Sequence, residues 1–266
     1  MPGAQPDVVQ GLRKHECAIP GRVHGYDPAM PRGLSRSRRL ATAARWPLGI
    51  ALTSWQYMWR TTPMHRAEVV GSALEDSPPP LPPGVPDDEV QLPEHGAGAL
   101  FHRRYRTRIR DATRSPEALM ALVSGAPDRV APTEFASFVK VLGDEGRMAV
   151  GDEFIVRMPG PWDGPVRVLD VTPTSFRLVT LEGHLEAGQI EFSVSREGDE
   201  LVFCIESWAR SGDRLSDLLY DRLRMAKEIQ LHMWTSLLER VVRLAGGRMT
   251  GGVDIYTRRA DVIDAR

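Results

Sequence analysis

The sequence predicts an α+β domain: a curved antiparallel sheet of about six or seven strands wrapped around one long C-terminal helix, with two short helices after the first strand. Three observations predict it. Apolar and polar residues alternate with period two from about residue 99, and again from about 148 to 209. Between those runs lie short segments with helix caps and stops. After them, from Asp213 to about Leu244, apolar residues recur at helical spacing.

In the first strand Phe101, Arg103, Tyr105, Thr107 and Ile109 alternate with His102, Arg104, Arg106, Arg108 and Arg110, which gives one wholly basic face. Nucleic-acid grooves interleave aromatic and basic side chains on one face, and here the aromatics point the other way. The basic face is therefore expected to be solvated or salt-bridged, with no nucleic acid as partner. Ser115, Pro116 and Gly125 are the cap, first turn and stop of a short helix. Thr133, Phe135, Phe138 and Val139, ended by Gly143, predict a second. Strands are expected at about 148–158, 165–171, 175–182, 186–196 and 200–209, with turns at Asp163-Gly164, Thr172-Pro173, Gly183 and Gly198. In the last helix Leu215, Leu218, Leu219, Ala226, Ile229, Met233, Leu237 and Val241 form one stripe before Gly246 and Gly247. At about 1.5 Å per residue this helix is on the order of 45 Å long, and so long a stripe needs a sheet to cover it.

The flanking segments read differently. Residues 1–31 are expected to be a mobile tail. Residues 32–76 hold a basic cluster (Arg32, Arg36, Arg38, Arg39, Arg45) and the uncharged run Trp46 to Trp59, where Leu48, Leu52, Trp55 and Trp59 share a helical face. A spanning helix needs about 20 residues, so this run is too short to cross a membrane. It is expected to pack on the body of the protein, with peripheral membrane contact as the other reading. Residues 77–98 are a Pro-rich acidic linker or strap, beginning SPPPLPPGVP and extended by its prolines. Residues 247–266 read as a polar C-terminal tail. Residues 1–66 carry ten basic and three acidic residues, whereas 67–100 carry seven acidic and none basic. Head and strap can thus neutralise each other.

Cys17 and Cys204 form no CxxC pair, and no signal-peptide-like apolar run opens the chain, so a cytoplasmic protein without disulfides is expected, possible membrane association resting on the tryptophan run. There is no GxSxG, HExxH or Walker loop, and Gly96-Ala97-Gly98 lacks the third glycine of a dinucleotide fingerprint. No cofactor is expected. His184 and Glu186 flank a turn two residues apart, but two ligands are too few for a metal site, and none is predicted.

The order of strand, two short helices, meander and terminal helix over 99–246 resembles the START-like, or SRPBCC, helix-grip superfamily. Within it, the hairpin LEGHLEAGQIEF (Leu181 to Phe192), with SFRLVT before it and FCIESWARSGDR after it, resembles the bacterial domain-of-unknown-function family nineteen-ninety. The matching positions are Gly183, His184, Gly188, Glu191, Phe192 and Ser207. Two positions depart from the pattern: Gln189 stands where the family commonly has Glu, and Ser207-Trp208-Ala209 where it has Ser-x-Pro. That family has no assigned reaction, so the resemblance implies a helix-grip fold with a cavity between sheet and helix.

Such a cavity suits an apolar small molecule or lipid-like ligand, lined by Phe154, Trp162, Phe176, Phe192, Phe203, Met225, Ile229 and Met233. Taken one by one, these positions suit a packed core better than a ligand contact. An enzyme of cyclase or hydrolase type is the second reading; it would use His184 with Glu191 or Glu206, provided that those carboxylates face inward. The third is a membrane- or partner-docking protein working through Trp46 to Trp59.

Overall fold

The computed structural model describes residues 62–72, 74–85, 89–131, 136–157, 163–212 and 225–261, with side chains of the last helix described from Gln230 onward. Its elements are β1 (Met64–Val70), β2 (Ala97–Arg110), α1 (Pro116–Gly125), α2 (Pro127–Val130), β3 (Ser137–Leu142), β4 (Glu153–Arg157), β5 (Asp163–Val171), β6 (Ser175–Thr180), β7 (Glu186–Glu197), β8 (Glu200–Ser211), α3 (Met225–Ala245) and β9 (Arg248–Ala260). The strands form one sheet in the order β1-β9-β2-β8-β7-β6-β5-β4-β3, antiparallel except for the parallel β1–β9 pair. It is an open mixed sheet with a C-terminal helix on one face.

The strand count corrects the expectation of six or seven. Strands β2 and β4 to β8 fall on the six runs read as strands, β3 is added at the far edge, and two more extend the sheet beyond β2. One is β9, in the segment read as a polar tail. Val253 and Ile255 of that strand are buried in the main core. The other is β1, from the segment expected to hold only the basic cluster and tryptophan run. The second short helix is also corrected: α2 ends at Val130, and 137–142 is a strand paired with β4, Val139 opposite Ile155. Three apolar residues in so short a stretch fit either period, and β-branched Val139 and Val141 fit the pleated surface better. Ser115 caps α1 as expected, its Oγ accepting from the Ala118 amide at 3.2 Å.

The main core lies between one face of the sheet and α3, with α1 beside it through Leu119, Met120 and Val123. Leu231, His232, Met233, Trp234 and Thr235 are all buried. Five consecutive helical residues cover the whole circumference, so the sheet alone cannot enclose this part of α3. The tryptophan-rich run, the 1–31 tail and Asp213 to Leu219 lie outside the described residues. Removing residues 1–61, which leaves β1 in place, is expected to lower the melting temperature if that run packs on the body. An unchanged melting temperature together with flotation of the full chain on liposomes would assign the run to a membrane. No helix among the described residues is long and apolar enough to cross one.

Residues 77–85 run over the opposite, convex face. Gln189 Nε2 donates to Pro79 O at 3.0 Å, and Arg177 donates to Pro80 O at 3.5 Å. A small second core closes below them, where Leu81, Val85, Val90 and Leu92 meet Leu169, Val179 and Leu181. The segment is thus a strap on the sheet. Gln189 now has a reason to depart from glutamate, because an amide can donate to a proline carbonyl and a carboxylate cannot.

Candidate functional site

Alternation along the meander sends one parity of each strand toward α3. Phe154, Val156, Val168, Phe176, Leu178, Phe192, Val194, Phe203 and Ile205 meet Met233, Trp234, Leu237 and Leu238 of the helix. Phe176 and Phe192 are opposite each other across β6 and β7, and their rings stack at 4.7 Å with an interplanar angle of 17°. Trp234 sets its edge to Phe192 at 5.7 Å and 68°. Such offset and edge-on arrangements favour the ring quadrupoles. The indole Nε1 of Trp234 is buried and has no hydrogen-bond partner among the described residues. A buried donor left in that state costs about 1–3 kcal/mol.

The same face turns polar at the end where the described part of α3 begins. Arg103 Nη1 donates to Gln230 Oε1 at 3.0 Å, and Gln230 Nε2 reaches both Glu186 carboxylate oxygens at 3.3 and 3.4 Å. The Arg103 guanidinium also lies 4.4 Å over the Phe101 ring, with that of Arg259 at 5.8 Å. An aromatic floor with charge at one end has the polarity of an amphiphile.

Of the sequence-predicted ligand residues, Phe154, Phe176, Phe192, Phe203 and Met233 are therefore on one face. Trp162 and the side chains of Met225 and Ile229 lie outside the described residues. The proposed acid and base residues are not brought together on the face toward α3. Glu191 and Glu206 are opposite each other across β7 and β8, on the parity that faces away from α3. Burial raises the Glu191 carboxyl above the usual range, eased by Arg177 and reinforced by Glu206 and Asp170. His184 is a turn residue. Its Nδ1 accepts from the Glu186 amide at 2.9 Å, and its ring packs on Gly164, where a Cβ would come within 2.9 Å of Nε2. Burial lowers its pKa against the pull of nearby Glu186, so the ring is held neutral. The concave-side carboxylate is instead Glu186.

The convex face carries a group that sequence reading missed. His102 lies between Asp76 and Glu206, its Nδ1 2.8 Å from Asp76 Oδ1 and its Nε2 2.6 Å from Glu206 Oε1. Its ring stacks on Trp208 at 5.2 Å. In the sequence His102 is one member of a basic row, and nothing in the spacing announces Asp76, 26 residues earlier. The rest of that row is ion-paired: Arg104 with Glu206, Arg106 with Glu197, Arg108 with Asp254 and Arg110 with Glu200, at 2.5 to 3.4 Å. Among the described residues there is no cluster of three or more His, Cys, Asp or Glu placed to hold a metal.

The model of the family described as Domain of unknown function (DUF1990) matches residues 133–240, from the segment after α2 through most of α3. No curated protein matches the chain. Similar solved structures include a hypothetical protein from Helicobacter pylori, 9% identical over 53% of this chain and 86% of that one, TM-score 0.42. A truncated norcoclaurine synthase from Thalictrum flavum is 11% identical, with 56% and 94% covered and a TM-score of 0.41. A major latex-like protein from Panax ginseng is 12% identical, with 53% and 96% covered and a TM-score of 0.38.

Proposed function

We propose that the protein binds an apolar small molecule between the concave face and α3, and that the ligand carries a hydrogen-bond acceptor for the indole of Trp234. The observation that carries this reading is the buried, unpartnered Nε1 set among Phe176 and Phe192. Small-molecule sites are mostly apolar and aromatic, with a few polar groups that fix orientation. Flat rings supply the area, one N–H supplies the orientation, and the Arg103–Gln230–Glu186 end suits a polar head. Catalysis through His184, Glu191 or Glu206 has no support in this arrangement, since two of the three face away from the helix and the third is a neutral turn residue.

The test is a titration of the full chain with a fluorescent fatty-acid-like probe, cis-parinaric acid, alongside native mass spectrometry. Saturable binding is expected. Trp234→Phe keeps the ring and removes the donor, and it should weaken binding about five-fold, equivalent to about 1 kcal/mol for one hydrogen bond. Ile229→Trp is expected to block the probe. Absence of saturable binding and of any retained adduct in the wild-type chain would overturn the reading.

A further inference from the structure

His102 has a carboxylate on each ring nitrogen. Ionised carboxylates only accept, so both nitrogens must donate, and the ring that satisfies both is the doubly protonated imidazolium. Asp76 belongs to the turn that starts the strap and is fully buried. Its Oδ2 accepts from the Ser72 amide at 2.8 Å, and Oδ1 lies 3.1 Å from Arg258 Nε. The turn can close this tightly because residue 71 is glycine; a Cβ there would sit 2.5 Å from Asp76 Oδ2. Glu206, the other arm, comes from the middle of the sheet. The imidazole is thus the bridge between a covering segment and the face that it covers.

We propose that Asp76, His102 and Glu206 form a proton-operated clasp, which fastens the strap to the convex face while the imidazole carries two protons and releases it when one is lost. The surrounding charges fit this role. From the strap come Glu75 and Asp76, from β9 Arg258 and Tyr256, from β8 Glu206 and Cys204, from β7 Glu191, from β6 Arg177, from β5 Asp170 and from β2 Arg104. Burial pushes the Cys204 thiol up to about 12, so it stays uncharged. Around the ring, Glu75, Asp76 and Glu206 are balanced by Arg258, Arg104 and the imidazolium. Loss of the proton leaves two fixed carboxylates facing a ring with a single N–H. The strap then loses the His102 bridge while its Ser72 and Arg258 contacts stay, and Trp208 loses the charged ring stacked on it.

The direction with pH follows from the partners. Burial works against the charge on His102, but hydrogen bonds to Glu206 and Asp76 and their negative charge outweigh it and raise the pKa above the ordinary histidine value. This contribution is complete below about pH 6.5 and is lost as pH rises through the raised value. Asp76 and Glu206 are desolvated by burial, yet His102 donates to both, with the Ser72 amide and Arg258 at Asp76 and Arg104 at Glu206, and holds them below the usual carboxylate range. Their contribution is present above about pH 4 and lost as pH falls through the lowered values. The clasp is closed between these limits and opens on the alkaline side by His102 alone.

Hydrogen exchange of the full chain, read by mass spectrometry from pH 5.5 to 9.5 and corrected for intrinsic rates, tests this. Peptides covering 71–85 should lose protection at least five-fold as pH rises through a midpoint above 6.5, while β7 and β8 peptides stay protected. His102→Gln should abolish the midpoint, and Asp76→Asn, which can still accept from Ser72, should move it down toward the ordinary histidine value. In nitrogen NMR of the wild type, both ring nitrogens of His102 should be protonated at pH 6 and one above the midpoint. Flat strap protection across this range, a midpoint unchanged in His102→Gln, or a singly protonated ring at pH 6 would each overturn the proposal.

Discussion

A chain ending at Gly247 is expected not to fold stably. Strand β9 looks dispensable in the sequence, yet it lies between β1 and β2 and is the partner of both. Its removal takes the buried Val253 and Ile255 out of the core, exposes what they cover and leaves β1 without its partner strand. Burying each such side chain is worth about 1.5–3 kcal/mol, before any loss of the ladder along β2 is counted. Against a typical total of about 5–15 kcal/mol, the truncated chain should melt more than about 10 °C lower or be unfolded at room temperature. Circular dichroism melting of the two chains decides it; equal melting temperatures would show that β9 is not part of the cooperative core.

The reason β9 was not legible is specific. Its alternation is cut by Gly251 and Gly252, both with positive φ, where the register on β2 slips between Thr107–Val253 and Arg108–Thr250. Two extra residues enter the strand there, so a core position falls on glycine and the apolar period is interrupted. Met249, Val253 and Ile255 face the core, the glycine pair leaves a gap between the first of them and the other two, and the outward residues Arg248, Thr250, Asp254 and Tyr256 are charged or polar. The meander was legible because its strands are long, unbroken and closed by short turns. Strand β3 was not, since its hydrophobic spacing fits either period and its partner β4 decides the matter. The concave set of Phe154, Phe176, Phe192 and Phe203 follows directly from period two, whereas Trp234 stands out only because its indole nitrogen has no acceptor among the described residues. The Asp76–His102–Glu206 group depends on how the strap crosses the sheet, a long-range relation that no local pattern encodes.

The same strap converts a surface charge pair into a buried one, and replacing its arginine is expected to cost about 3–5 kcal/mol. Arg167 and Glu153 are opposite each other on β5 and β4, and their parity faces away from α3. Sequence reasoning places such residues in exposed cross-strand pairs. Instead the side chains are only 8% and 10% exposed, with Arg167 Nε and Nη2 donating to Glu153 Oε1 at 3.1 and 2.9 Å and Glu89 at 3.7 Å from the guanidinium. An exposed pair is worth about 0–1 kcal/mol, so the magnitude itself separates the two situations. Arg167→Met keeps much of the apolar stem but leaves Glu153 buried without that guanidinium, and the urea midpoint should fall accordingly. Restoring neutrality with Glu153→Leu in the same chain should recover most of the loss, because a well-packed apolar pair can replace a buried ion pair at little cost. If Arg167→Met costs less than about 1 kcal/mol, or the second substitution recovers nothing, the pair is solvated and the strap does not seal this part of the convex face.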